Sequence, residues 1–493
     1  MVFDMKIGIK KLKPVKSFSD EDANRIHAVT LSLLKDVGVK VLSTRALKIL
    51  ENAGAYVDHD KQVAKIPSHI VEEAVRKAPK AFTLYSRNPK HNLHLDGAHL
   101  YGVTDGAGTH VIDLETGKRR PPRKEDVAKT ALVVDYLEYM NLYYPTVTPR
   151  DTPLHSHILH EFEAALNNTD KPFVAGSMDD PRAVPFVIDM MAAVLGDEEQ
   201  VKRAPIMLSV ACQSSPLIVP YEAIEPSLDL AKYNVPIIVM TMPIAGANGP
   251  VTVAGSVLLG NAQVLAALTI LEMAKPGSPV LYSSYPLSQD MKRGAQSVAF
   301  PEAIQIIAGH VQMAKYYGLP AFAGGTVSSA KLPDVQAAYE KSLNGLSTAM
   351  AGVDIGVGSI GLLENYNTLC YEQMLIDYEI YTMMLKLIAG IEVNDETLAV
   401  DAIKRVGPEG HYLADKHTIA HFRETWQPLL SDARPYDAWL KAGGRSVVEV
   451  AKDEITKILK THTPPQLDKD VKEQLSRIVG KADMELEGQK QFK

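Results

Sequence analysis

From Tyr101 to about residue 389 the sequence repeats one pattern: a short, nearly continuous apolar run, a loop rich in Gly, Pro, Ser or Thr, then apolar residues at helical spacing. This rhythm constrains the fold more than any other feature. The predicted strands cover residues 98–103, 141–147, 173–177, 206–211, 236–242, 280–284, 321–325 and 353–359. The predicted helices follow near 124–137, 155–167, 181–195, 220–232, 252–275, 301–316, 333–351 and 368–389. Runs such as Pro236-Ile-Ile-Val-Met-Thr-Met242 are apolar almost throughout, as a strand buried on both faces must be. Eight strand-then-helix units predict an α/β fold of the TIM-type (β/α)8 barrel class over residues 98–390. An open doubly wound sheet carries the same local pattern, because periodicity does not record closure.

Upstream, residues 1–97 are expected to form an N-terminal cap region of helices and short strands. Ser19 precedes three acids and an apolar repeat at Ile26, Val29 and Leu33, a helix start with its N-cap. Residues 391–493 return to helical patterns without strands and predict a C-terminal helical extension.

The 493 residues are 46% hydrophobic and 23% charged, the proportions of a chain with a large core, which excludes disorder. A net charge of −7 lacks the basic footprint of a nucleic-acid binder. Cys212 and Cys370 are the only cysteines, which excludes a disulfide scaffold, a CxxC pair and a cysteine-rich zinc site. No signal-peptide core or uninterrupted membrane-length apolar run is seen, so a cytoplasmic protein without a membrane partner is expected.

In a barrel, chemistry sits at the C-terminal ends of the strands. The predicted ends carry polar and aromatic residues but few paired carboxylates and no activated nucleophile. His155-Ser-His157, with His160 and Glu161 after it, has the look of a metal-dependent hydrolase entry, yet Pro153 places it at a helix start and the fourth to eighth strand ends carry no His. No metal site is expected. Gly356-Val-Gly358-Ser-Ile-Gly361 matches GxGxxG but closes the rhythm instead of opening a helix, a poor dinucleotide site. With Gly324 and Gly325, these glycines either cradle a phosphate or allow close packing. Twenty Tyr stand against ten Phe and two Trp. Tyr101, Tyr143 or Tyr144, Tyr285 and Tyr366 fall near strand ends, either as core filling or as an aromatic cage for a quaternary ammonium, which π faces and diffuse negative charge stabilise.

Thr104-Asp-Gly-Ala-Gly, Val111-Ile-Asp-Leu-Glu-Thr-Gly-Lys-Arg-Arg-Pro, Asp126, His160-Glu-Phe-Glu-Ala-Ala-Leu-Asn-Asn-Thr-Asp-Lys-Pro and Gly324-Gly-Thr with Asp334-Val-Gln-Ala-Ala-Tyr-Glu together resemble the trimethylamine methyltransferase family. The resemblance runs from about Ser19 to the helix near residue 450. It implies a (β/α)8 barrel that moves a methyl group from an amine nitrogen to the Co(I) of a separate corrinoid protein, with no permanently bound cofactor. Founding members carry pyrrolysine, whereas every residue here is standard, which resembles the branch acting on quaternary amines in the one-carbon metabolism of methanogens or acetogens. Glycine betaine, yielding dimethylglycine, is the first expected substrate, with proline betaine, carnitine and γ-butyrobetaine as alternatives. The expected partners are that small quaternary amine, a cognate corrinoid protein and, for assembly, further copies of the chain.

Loss of a methyl group turns a quaternary nitrogen into a neutral tertiary amine, so no acid need protonate the leaving group. The enzyme has only to hold the ammonium, anchor the remainder and aim one methyl. Strand-end position then suggests Tyr101, Tyr285 and Tyr366 for the cage, and Asp105 or Glu364 for negative charge. His110, Gln213, Thr326 and Asn365 are expected to bind a substrate carboxylate or face the corrin. A metal-dependent hydrolase and a non-catalytic quaternary amine binding protein are the competing readings.

Overall fold

Register decides between barrel and open sheet, and in the computed structural model, which describes residues 9–487 apart from Leu12, Ala107, Ser177 and Asp179, the strands form a ring. The strands are β1 (His99–Val103), β2 (Met140–Leu142), β3 (Phe173–Ala175), β4 (Met207–Gln213), β5 (Ile237–Thr241), β6 (Val280–Ser284), β7 (Ala321–Gly324) and β8 (Ile355–Gly358). Each pairs in parallel with its successor, and β8 returns to β1 through Ile355–Tyr101 and Gly356–Gly102. The thinnest seam is β2–β3, where Tyr143 N donates to Pro172 O at 3.0 Å and Val174 N to Tyr143 O at 2.8 Å. The expected barrel is therefore the observed one. The predicted end of the third strand, Ser177, lies outside the described residues.

Helices follow the strands: α1 (Lys124–Tyr136), α2 (His157–Asn168), α3 (Val184–Leu195), α4 (Tyr221–Leu230), α5 (Val253–Ala274), α6 (Pro301–Tyr316), α7 (Val335–Met350) and α8 (Tyr371–Ile388). β2 stops short of its predicted end. The Thr104 hydroxyl takes the Tyr144 amide and donates to the Tyr144 carbonyl, both at 2.7 Å, and Pro145 follows, so the ladder cannot continue.

Two-residue alternation sorts the strand side chains. Leu208, Val210, Ile238, Met240, Leu281, Phe322 and Ile355 fill the lumen, and their outward neighbours Met207, Ile237, Val239, Val280 and Ala321 meet the helices. α5 is long and apolar enough to cross a membrane, but 78% of its most apolar window is buried inside the protein. It lies between the barrel and the helices Asp20–Asp36 and Ser68–Lys77, so most of its length is covered on every side.

Ser19 caps the helix Asp20–Asp36 through a capping box with Asp22. The hairpin Phe82–Leu84/Leu93–Leu95 puts Leu84, Leu93 and Leu95 into the same apolar cluster as the lumen and plugs its N-terminal end. After α8, short helices lead to α9 (Val447–Thr461), which packs on α8 and α1, and α10 (Lys469–Leu486), which packs on α3 and α2.

Candidate active site

The alternation that fills the lumen with aliphatic residues changes chemistry at its C-terminal end. Above Val103 on the inward side of β1 stands Asp105; above Leu142 stands Tyr144; above Leu281 stand Ser283 and then Tyr285; above Phe322 stands Gly324. Cys212 and Met242 extend the inward rows of β4 and β5.

Asp105 is buried, 5% exposed. Its carboxylate accepts hydrogen bonds from Ser359 Oγ at 2.7 Å and from the Gly106 amide at 2.9 Å. Burial nevertheless dominates and pushes its pKa up to about 6. Tyr144, Tyr285 and Tyr366 surround it closely enough for its charge to act on each phenol. All three phenols are held well above their ordinary pKa, by burial first and then by Asp105, so they are neutral. The Tyr285 and Tyr366 rings lie 5.9 Å apart between centroids at 48°, and Tyr285 stacks on Phe322 at 6.1 Å.

Tyr366 Oη and Ser283 Oγ are buried here without a hydrogen-bond partner. Buried polar groups are normally paired, so two orphans beside Asp105 at a barrel mouth suit a place that takes a ligand.

Two local devices hold the cage. Cβ atoms placed on Gly106 and Gly324 would stand 2.5 Å from Tyr144 Cε2 and 3.0 Å from Tyr285 Cε1, so these glycines make room for rings. After β8, Glu364, Asn365 and Tyr366 occupy the left-handed region in succession, with φ of 54°, 54° and 72°. Such residues cost about 1–3 kcal/mol each and persist only when surrounding contacts impose them. Asn365 supplies contacts: its amide donates to Gln296 O, its Oδ1 accepts from Val298 N, and its backbone N donates to Ser328 O. The turn that results swings Tyr366 over the lumen.

Beneath the turn, Lys341 of α7 and Asp377 of α8 form a fully buried ion pair at 2.7 Å. Lys341 Nζ also donates to Thr326 O at 2.9 Å and Ser359 O at 3.3 Å, and Asp377 accepts from the Gly361 amide. The pair ties the ends of β7 and β8 to the helices behind them.

The structure brings together Asp105, Tyr285 and Tyr366, with Gln213 and Thr326 at neighbouring strand ends. Thr326 is buried and its hydroxyl donates to Gly358 O, while Gln213 spends its amide on Ala211 O and leaves Oε1 unpaired. Tyr101 is not brought to the cage. It sits low in the lumen, its hydroxyl bonded to His94 N and O of the plugging hairpin, because a strand's inward side has a height as well as a face. Glu364 is committed to Arg119 Nη2 at 2.7 Å and to Thr368 Oγ1 at 2.6 Å, on a small sheet formed by His110–Ile112, Arg119–Arg120, Leu362–Leu363 and Thr368–Cys370. His110 opens the first of those strands, its Nδ1 3.0 Å from Thr109 Oγ1. Asn365 acts on loop backbone, as described.

Sequence reasoning met Glu161 only beside His160, as part of a metal-site candidate, and passed over Ser283, Ser359 and the Lys341–Asp377 pair. Glu161 of α2 is buried, and its charge acts on Tyr144. Only Ser283 could have been found from sequence, by counting two residues back from Tyr285.

His155 and His160 meet α10: each places Nε2 3.1 Å from an oxygen of Asp483. Burial pulls His157 down to about 4. Among the described residues, donor atoms lie close enough for an ion at Glu396, His417 and His421, on the C-terminal extension. The GxGxxG segment opens no helix; a Cβ on Gly356 would stand 2.8 Å from Ala323 O, so it serves strand packing. Burial raises Cys212 to about 11, a thiol and not a thiolate nucleophile.

The family model described as trimethylamine methyltransferase matches residues 3–487 of this chain. The chain is 36% identical over 462 residues to the trimethylamine methyltransferase MttB of Desulfitobacterium hafniense, covering 94% of this chain and 93% of the relative. It is 33% identical to the trimethylamine methyltransferase MttB1 of Methanosarcina mazei, covering 96% of each. It is 28% identical to a glycine betaine methyltransferase of Desulfitobacterium hafniense, covering 95% of this chain and 97% of the relative. The crystal structure of Methanosarcina barkeri monomethylamine methyltransferase aligns with a TM-score of 0.48 and 11% identity over 98% of this chain and 95% of that one. A match along nearly the whole length, with relatives above 30% identity over more than nine-tenths of each chain, makes this chain a methyltransferase of the trimethylamine methyltransferase family.

Proposed function

We propose that this enzyme transfers a methyl group from a quaternary ammonium to the Co(I) of a partner corrinoid protein, releasing a neutral tertiary amine. The observation that carries the reading is the buried Asp105 carboxyl ringed by Tyr144, Tyr285 and Tyr366 at the C-terminal end of the lumen. A quaternary ammonium has no N–H to donate, so the stabilisation open to it is π face and negative charge, and the cage offers both. The relative named as a glycine betaine methyltransferase supports the same substrate class.

The chain's own residues have limited tasks. Asp105 supplies the countercharge, and bound substrate favours its ionised form. The tyrosine faces hold the ammonium and exclude water. The apolar lumen below, closed by the hairpin, leaves the mouth as the side from which cobalt approaches in line with the N–CH3 bond. No proton transfer is required, which fits a site whose thiol and phenols all stay protonated.

The reading is tested by incubating the purified protein and a Co(I) corrinoid with tetramethylammonium, other quaternary amines and trimethylamine. Loss of the Co(I) absorbance is expected with quaternary donors, and turnover of trimethylamine alone would overturn it.

A further inference from the structure

Outside the barrel, the segment between α8 and α9 is built almost without a core. Of its described apolar residues only Ala402 and Leu430 are buried. Its helices Asp395–Leu398, Val400–Val406 and Lys416–His421 hold four, seven and six residues, too few to persist alone. Leu398, Ile403 and Ile419, which such helices would have to bury, are each at least half exposed. Polar contacts hold the segment instead. Asn394 caps the first helix through the Thr397 amide, and Asp415 caps the third through the His417 amide. Asp415 also accepts from Arg405 Nη2 at 2.8 Å and Nε at 3.0 Å.

This framework gathers a set of donors. His417 and His421 are four residues apart on the third helix, so both rings leave one face, with centroids 4.3 Å apart. Glu396 of the first helix meets them, and one ligand atom from each of the three residues lies within 4.8 Å of the other two. His421 Nε2 stands 3.1 Å from Glu396 Oε1. Neighbouring donors on a tetrahedral zinc ion, with bonds of about 2.0–2.1 Å, stand about 3.3 Å apart, so this pair already has the spacing of two ligands of one ion. His421 Nδ1 lies 2.9 Å from Glu424 Oε1, and donation to that carboxylate leaves Nε2 with its lone pair for a metal. His417 Nε2 lies 3.2 Å from the Glu396 backbone oxygen, which keeps the second ring beside the same residue. Two imidazoles with one carboxylate suit Zn2+ and disfavour Mg2+ and Ca2+, which take oxygen. Lys386 Nζ donates to Glu424 O and Trp426 Nε1 to Thr382 Oγ1, which sets the cluster against the last turns of α8, at the end of the barrel opposite the cage.

We propose that Glu396, His417 and His421 bind one Zn2+ ion, with water in the fourth position, and that the ion staples the helices Asp395–Leu398 and Lys416–His421 of the C-terminal extension. The ion joins Glu396 to His417, 21 residues on in the chain, and its binding free energy stands in for the core the segment lacks. Glu424 is a positioning residue: it holds the His421 ring and is not a ligand. Without an ion, the same contacts amount to an ion-pair network of His421 with Glu396 and Glu424.

The test uses the full-length protein, stripped with a chelator, dialysed and titrated with Zn2+ by calorimetry. One equivalent should bind per chain with a Kd of about 1 μM or tighter. His417→Ala and His421→Ala should each weaken binding at least about 100-fold, and Glu424→Gln, which keeps all three ligands, about tenfold. Co2+ titrated into the unmodified protein should give the intense visible bands of a four-coordinate ion, a readout that needs no variant. Zn2+ should also slow protease cleavage between residues 391 and 446 at least about fivefold in the unmodified protein and leave it unchanged in His421→Ala. No saturable Zn2+ binding, binding that both histidine variants retain, or only the weak bands of six-coordinate Co2+ would overturn the site and leave the ion-pair network. Binding at these residues without protection from cleavage would overturn the staple.

Discussion

Asp105 combines burial with the proposed role of countercharge, and its titration is therefore a handle on binding. Its pKa of about 6 lies above the ordinary 3.8, so its contribution to folding stability falls as pH rises from about 4 to about 6. Substrate attraction runs the opposite way. A quaternary ammonium stays charged at all pH, so kcat/KM should climb up to about pH 6 and level off above it, and Asp105→Asn should flatten the profile. Cage tyrosines have a separate readout. Tyr285→Ala and Tyr366→Ala should each cost about 1–2 kcal/mol of cation binding, roughly 5–30-fold in KM. Tyr101→Phe should instead lose about 1 kcal/mol of stability in a thermal melt and leave KM unchanged, because its hydroxyl holds the hairpin. Asp105, Tyr285 and Tyr366 were legible from sequence because each stands at or near a strand end. The pairing of Glu364 was not legible, since its partner Arg119 is 245 residues away in the chain and the loop contact that joins them has no local signal.

At the scale of elements, the helices were the most legible part: the predicted and observed limits of α6 coincide at Pro301–Tyr316. Strand ends were less so, because side chains such as that of Thr104 can replace ladder bonds, and no periodicity shows it. Also hidden in the sequence was the tie between α7 and α8. Lys341 and Asp377 are each a lone charge on an apolar helix face, and only folding reveals them as a pair. Removing one partner strands the other: Lys341→Met should cost about 3–5 kcal/mol in chemical denaturation, and the double variant Lys341→Met/Asp377→Leu should recover most of it. Residual activity of the double variant should be low if the pair places the ends of β7 and β8, since Ser359 and Thr326 would lose their common anchor. Gly106→Ala should displace Tyr144 and raise KM without a comparable loss of stability.

For the whole molecule, the barrel separates tasks between its ends. The N-terminal end is plugged by the Phe82–Leu84/Leu93–Leu95 hairpin and carries stability, while the C-terminal end carries the cage and the loops that cover it. The extensions thicken the outside of the barrel, and α10 fixes the start of α2 through Asp483. In the proposed reaction the caged cation gives its methyl group to cobalt. The most direct measurement follows a 13C-methyl label by NMR from a quaternary ammonium through the purified protein to a Co(I) corrinoid. One equivalent of methyl-cobalt is expected for each equivalent of tertiary amine formed, with slower transfer by Asp105→Asn at subsaturating substrate. Label remaining on nitrogen for every quaternary amine that binds, or tertiary amine released without methyl-cobalt, would contradict it.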